Sequence, residues 1–168
     1  RPVEEHQLAA GRVPELLQLF ERTHLDDLGL DAALNWLARH VAGSAGFRVE
    51  VDTANLGDTV DADVATLVFR LVQEALANAA KHAAASHVLV HVAQREGQLS
   101  LLVSDDGVGC DPRAALARNA EGLSGGLTGM RERVGLFGGR FNFVSACREG
   151  TQLRVVLPLQ APPEPVPR

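Results

Sequence analysis

The apolar positions of this chain change period several times, and the changes mark its elements. In "GFRVEVDT", residues 46–53, Phe47, Val49 and Val51 alternate with polar residues, the signature of a strand with one buried face. From 59 to 82 the spacing becomes helical. Val64, Leu67, Val68, Leu71, Val72, Ala75, Leu76 and Ala79 form one stripe along the longest predicted helix. Two strands follow, "SHVLVHVAQ" (86–94) and "QLSLLVSDD" (98–106), joined by a tight turn at Glu96-Gly97. Residues 110–125 are aperiodic and rich in small residues, and read as a flexible loop. "GLTGMRERVGLFGG" (126–139) reads as a helix that opens on glycines and stops at Gly138-Gly139. "RFNFVSA" and "TQLRVVLPL" predict a closing hairpin around Glu149-Gly150.

Upstream, residues 3–22 read as helical, with Leu8, Leu16, Leu17, Leu19 and Phe20 apolar. Gly11 and Pro14 predict a break near residue 12, since Pro14 suits the first turn of a fresh helix. "HLDDLGL" (24–30) reads as a connector, and "DAALNWLARHVA" (31–42) as a short amphipathic helix with Asp31 as its N-cap. "APPEPVPR" at the end is Pro-rich and predicts disorder. The order from residue 31 is helix, strand, helix, two strands, loop, helix, two strands. That is not regular βαβ alternation, so a doubly wound sheet is disfavoured. An α+β fold with a mixed sheet and helices on one face fits better.

At 168 residues the chain can hold one domain with its own core plus an appendage. The net charge is −5 and no dense Lys/Arg block is present, which argues against direct nucleic-acid binding. Cys110 and Cys147 make no metal-ligand spacing and suggest free thiols in a reducing compartment. No apolar run is long enough to span a membrane. The chain begins with Arg rather than Met, so it is expected to be a piece of a longer protein, whose remainder could hold an anchor or sensor.

Within "LVQEALANAAKHA", Glu74, Asn78 and Lys81 fall in a sector roughly 60° wide beside the apolar stripe. Neighbours three and four apart can converge on one ligand. A solvated helix edge is the competing reading. Asn has low helix propensity, but its amide oxygen suits a hard cation, and a lysine one turn on suits phosphate. In "DDGVG", Asp105 ends a strand and Gly107 and Gly109 follow. The carboxylate can accept from an exocyclic amine such as adenine's, while the glycines allow a planar base close approach. A plain turn with an Asx-type hydrogen bond is the alternative. In "GGLTGM" (125–130) glycines surround a helix start, where free N–H groups bind phosphate; a capped helix after a linker is the plainer reading.

The order "QEALANAAKHA", "VSDDGVGCDP", "GGLTGMRERVGLFGG", "GTQLRVVLP" resembles the catalytic ATP-binding domain of bacterial sensor histidine kinases, within the wider gyrase, Hsp90 and MutL ATPase group. It is most similar to the subfamily of nitrate/nitrite, hexose-phosphate and membrane-fluidity sensors. There the helix reads Q-E-x-x-x-N-x-x-K-H-A and the second glycine segment G-L-x-G-M-R-E-R. "HLDDLGLDAAL" also resembles that subfamily's connector, so the likeness covers residues 24–158.

The resemblance implies a two-layer α/β sandwich of Bergerat type with an N-terminal helical extension. Residues 1–29 would be the end of a dimerisation helix and linker, 30–159 the catalytic domain, and 160–168 the tail. It implies ATP and Mg²⁺ as cofactors. Asn78 resembles the Mg²⁺ ligand, and Glu74 the acidic residue that orients a metal-bound water or assists phosphotransfer. Lys81 and His82 resemble phosphate-side residues. Asp105 resembles the adenine-binding carboxylate beside Gly107 and Gly109, with Asp106 a supporting or exposed group. Gly126, Leu127, Thr128 and Gly129 resemble the second glycine box, at the end of a lid formed by 110–125.

The implied chemistry is transfer of the ATP γ-phosphoryl to a histidine of the protein's own dimerisation domain, for relay to a response regulator with a helix-turn-helix output domain. The implied protein is a homodimer with this domain in the cytoplasm, and there is room for a membrane anchor outside the chain. The family's phosphoacceptor motif resembles E-L-H-D, whereas "EEHQ" has Gln7 in place of the Asp. A surface role for His6 is therefore preferred and the acceptor is expected outside the chain. The rival readings are an anti-sigma-type serine kinase, or a module that binds nucleotide only to change partner contacts.

Overall fold

A computed structural model describes residues 25–57, 60–115 and 126–159 of the chain, the Asp26 side chain aside. The expected break near residue 12, His6, most of the expected lid and the Pro-rich tail lie outside the described residues.

The elements run α1 (Leu25–Ala45), β1 (Arg48–Asn55), α2 (Ala62–Asn78), a π-helical turn (Ala79–Ala83), β2 (His87–Arg95), β3 (Gln98–Asp105), α3 (Leu127–Leu136), β4 (Arg140–Ser145) and β5 (Thr151–Pro158). The five strands form one mixed sheet in the order β1-β2-β3-β5-β4. β1 and β2 are parallel, as the intervening α2 crossover requires; the other three pairs are antiparallel. The fold is α+β in two layers, as the sequence predicts.

Period-two alternation decides which sheet face is covered. Val88, Val90 and Val92 of β2, Leu99, Leu101 and Val103 of β3, and Leu153, Val155 and Leu157 of β5 share one buried face with the helices. From the helix side come Leu34 and Leu37 of α1, Val68, Phe69, Val72 and Leu76 of α2, and Met130 and Val134 of α3. The opposite face is mixed: Leu89, Leu102, Val144 and Val156 stand among polar residues, with His91 Nδ1 2.9 Å from Asp52 and His87 Nε2 3.4 Å from Glu50.

Three local features differ from the sequence expectation. The connector is helical from Leu25, and the break falls within α1 at Gly29 (φ 80°, ψ 166°), a conformation that glycine adopts most readily. Asp31, expected as an N-cap, lies just after that break. Its Oδ1 accepts from Asn35 Nδ2 at 3.0 Å and from the Thr53 hydroxyl. The long helix starts later than expected, capped by Asp61, whose carboxylate accepts from the Asp63 and Val64 N–H groups. At its other end it widens into the π turn, closed by Ala84 in the left-handed region (φ 47°).

Candidate functional site

β3 carries its buried row as Leu99, Leu101, Val103 and then Asp105. The register sets Asp105 opposite Val88 of β2 and Thr151 of β5. A carboxylate thus occupies the place of the next apolar side chain. Above it lies a cleft of about 450 Å³, with Asn78 and His82 on one wall and Leu127 and Met130 of α3 on another. Val88, Val103, Leu153 and Phe143 supply an apolar floor. A mostly apolar cleft with a few fixed polar groups is the usual form of a small-molecule site.

The loop after Asp105 is fixed by backbone contacts. Gly107 N–H donates to Asp105 Oδ1 at 2.9 Å, and Val108 N–H donates to Ala83 C=O at 2.7 Å, tying the loop to the end of the π turn. A Cβ on Gly107 would lie 2.3 Å from that same carbonyl oxygen. Gly109 has φ +65°, and a Cβ there would lie 1.9 Å from Ala146 C=O in the β4–β5 turn. Arg148 N–H donates to Val108 C=O at 2.6 Å, closing the loop against that turn.

The two adjacent aspartates do different work. Burial pushes the Asp105 carboxyl above the usual carboxylate range, and the charge of Asp106 pushes the same way; the Gly107 and Thr151 N–H groups oppose the rise. Asp105 is therefore a partly desolvated acceptor at the cleft floor. Asp106 is exposed and accepts from Ser86 Oγ (2.6 Å), Ser86 N–H (2.8 Å) and His87 N–H (2.9 Å). The Ser86 hydroxyl first, then those N–H groups, pull its carboxyl down to about 2. Asp106 thereby pins the start of β2 to the end of β3.

Of the residues singled out in the sequence, Asn78, His82, Asp105, Gly109 and Leu127 line the cleft. Glu74 lies one turn before Asn78 on α2, and Lys81 is exposed on the π turn; neither lines the cleft. Gly107 lies behind the Asp105 carboxylate. Gly126 caps α3 in extended conformation, with Thr128 and Gly129 in its first turn. Residues 112–115, expected as loop, form a helical turn. The Asp111 carboxylate caps it by accepting from Arg113 N–H at 2.9 Å, and buried Ala115 reaches the cleft. Thr151 and Cys110 also line the cleft and were not anticipated; Cys110 and Cys147 are both free thiols. Among the described residues no cluster of three or more His, Cys, Asp or Glu could hold a metal. No helix of the described residues is long and apolar enough to cross a membrane.

An apolar floor, an acceptor carboxylate at its end and an amide on the facing helix define a small-molecule class of site. Residues 63–161 match the family of histidine kinase-, DNA gyrase B- and HSP90-like ATPases, and the chain belongs to that family. Among its relatives, the sensor histidine kinase MctS of Rhizobium johnstonii is 36% identical over 138 residues, 82% of this chain and 29% of that protein. The signal transduction histidine-protein kinase/phosphatase DegS of Brevibacillus brevis is 33% identical over 149 residues, 89% of this chain and 37% of its own. The oxygen sensor histidine kinase NreB of Staphylococcus carnosus is 36% identical over 139 residues, 80% of this chain and 38% of its own. The chain thus spans about a third of the length of these relatives. Among solved structures, a histidine kinase domain from an Erythrobacter litoralis blue-light activated histidine kinase superposes with a TM-score of 0.69 at 27% identity, over 90% of this chain and 75% of that one.

Proposed function

We propose that this chain is the ATP-binding catalytic domain of a two-component sensor histidine kinase, which transfers the ATP γ-phosphoryl to a histidine on its own dimerisation domain. The observation that carries the reading is the cleft itself. It sets Asp105, a half-buried acceptor, across an apolar floor from Asn78 at the end of α2 and His82 on the π turn, in a chain whose relatives are named histidine kinases. Asp105 accepts from the adenine amino group, and the floor formed by Val88, Val103 and Leu153 takes the ring. His82 and Lys81, at the end of the helix, face the phosphates with the glycine-flanked start of α3.

Mg²⁺ fits this donor set. The cation takes few protein ligands when a triphosphate supplies others, and a single side-chain amide, Asn78, is what the cleft wall offers. When bound, it would neutralise charge between phosphate oxygens. Glu74, one turn before Asn78 on α2, would orient a water beside that amide. Transfer of this kind depends mainly on positioning and charge neutralisation, which is consistent with a cleft that offers one half-buried carboxylate and one amide.

The partners follow from the same reading. The full protein is a homodimer joined through its dimerisation domain, carries the acceptor histidine in that domain and outside residues 1–168, and passes its phosphoryl to a response regulator with a helix-turn-helix output. Binding of a fluorescent ATP analogue, with and without Mg²⁺, tests the site. Saturable binding that is strengthened by Mg²⁺ and weakened by Asp105→Ala is expected. Binding unaffected by both refutes it.

A further inference from the structure

Ser145, the last residue of β4, lies outside every motif considered above, yet its hydroxyl has three partners. Cys110 N–H donates to Ser145 Oγ at 2.8 Å. Ser145 Oγ lies 2.9 Å from Gly150 C=O, which can only accept. The third partner is Thr151 Oγ1, at 3.1 Å. A serine hydroxyl has one proton and two acceptor lone pairs. Its proton goes to Gly150, so the Thr151 contact must use the Thr151 proton. The Cys110 N–H and the Thr151 hydroxyl then fill both Ser145 lone pairs.

Thr151 lines the cleft and pairs with Asp105 in register. With its proton committed to Ser145, its oxygen has only lone pairs to offer a ligand. We infer that Ser145 is a positioning residue for base selection: it orients the Thr151 proton away from the ligand, so that Asp105 and Thr151 together present an acceptor-only floor. Such a floor suits a ring with an exocyclic amine, bound directly or through a water, and opposes one with a carbonyl at that position. The inference rests on the nucleotide reading above. It adds a residue that touches no base and a cause for the selectivity that Asp105 alone does not supply, since a free threonine hydroxyl could rotate and donate to a carbonyl.

The test is equilibrium binding of ATP and of GTP to the whole chain, with unfolding curves measured alongside. Wild type is expected to prefer ATP by roughly 10- to 100-fold, since an unpaired buried polar group is costly. Ser145→Ala should cut that preference by about 3- to 10-fold, mainly through tighter GTP binding, because the freed Thr151 hydroxyl can now donate. Ser145→Thr, which retains a hydroxyl, should keep the preference. Thr151→Val leaves Ser145 bound to Cys110 and Gly150, so it reads the same polarity in a protein whose turn is intact. In that background Ser145→Ala should change the ATP/GTP ratio no further. An unchanged ratio in folded Ser145→Ala, or an equal effect of Ser145→Ala with and without Thr151, overturns the inference. Should Ser145→Ala not fold, a Thr151→Val ratio equal to that of wild type overturns it instead. A wild type without ATP preference, unaltered by Asp105→Ala, overturns the adenine reading itself. Preference lost in Asp105→Ala but retained in Ser145→Ala overturns only the role of Ser145.

Discussion

Replacing Gly109 by alanine should disable the cleft, and the cost can be worked from its surroundings. Its φ of +65° costs a non-glycine residue about 1 kcal/mol. The added methyl would also sit 1.9 Å from Ala146 C=O and 3.0 Å from Gly150 C=O, so either the loop or the β4–β5 turn must retreat. Retreat breaks the Arg148-to-Val108 and Cys110-to-Ser145 hydrogen bonds, each worth about 1 kcal/mol net. A total near ~3 kcal/mol follows from these terms. Gly97 supplies the control. Its φ is +73°, but a Cβ there meets nothing within 4 Å, so Gly97→Ala should cost only the backbone term, about 1 kcal/mol. Urea unfolding measures both variants, and titration with an ATP analogue follows. Gly109→Ala should be the less stable by about 2 kcal/mol and should bind the analogue at least tenfold more weakly. Equal costs for the two variants would refute the claim that the loop and the turn are locked backbone to backbone.

Three further outcomes are expected. Asn78→Leu should leave the fold intact and remove the Mg²⁺ dependence of ATP binding; unchanged Mg²⁺-ATP affinity in the folded variant would reject Asn78 as the ligand. Asp105→Asn should raise the stability of the empty protein at neutral pH. Burial raises the wild-type carboxyl pKa, so the folded state carries a penalty that is present above that raised value and relieved as pH falls through it; ATP binding should weaken over the same fall, at higher pH than an ordinary carboxylate would cause. Asp106 has the opposite sign. Its carboxyl is pulled from 3.8 to about 2, so its contribution is full above 3.8 and is lost as pH drops toward about 2. Asp106→Ala should flatten that part of the acid-unfolding curve, and a curve parallel to wild type would contradict its role as the pin at Ser86.

Much of this architecture is legible in the chain because period and burial agree. The alternation in β2, β3 and β5 marks the covered face, and Asp105 stands out as a carboxylate continuing an apolar row. Asn78 is legible as an amide beside the helical stripe. What is hidden depends on pairing across distance. Nothing local to Thr151 announces a place opposite Asp105, nor to Ser145 a place beside Thr151, because only the β3–β5 and β4–β5 registers bring these residues together. The π turn after Asn78 is hidden for a related reason. "AAKHA" continues a good helical pattern, and the widening coincides with the capture of Ala83 C=O by Val108 N–H. Two start signals, by contrast, are local to the sequence. Asp61 caps α2, and Asp111 followed by Pro112 is a cap followed by a residue preformed for a first turn. The solvated-edge reading of α2 holds for Lys81, which is exposed, but not for Asn78, which lines the cleft.

The central claim is that this chain holds the nucleotide machinery of a histidine kinase while the acceptor histidine lies elsewhere in the protein. Incubation with γ-labelled ATP and Mg²⁺, for this chain alone and for the full-length protein side by side, tests it most directly, with acid lability used to identify phosphohistidine. The account predicts ATP binding by both, acid-labile label on the full-length protein, and none on this chain alone. Acid-labile label on the isolated chain that disappears in His6→Ala would contradict it, as would a full-length protein that binds ATP and acquires no such label.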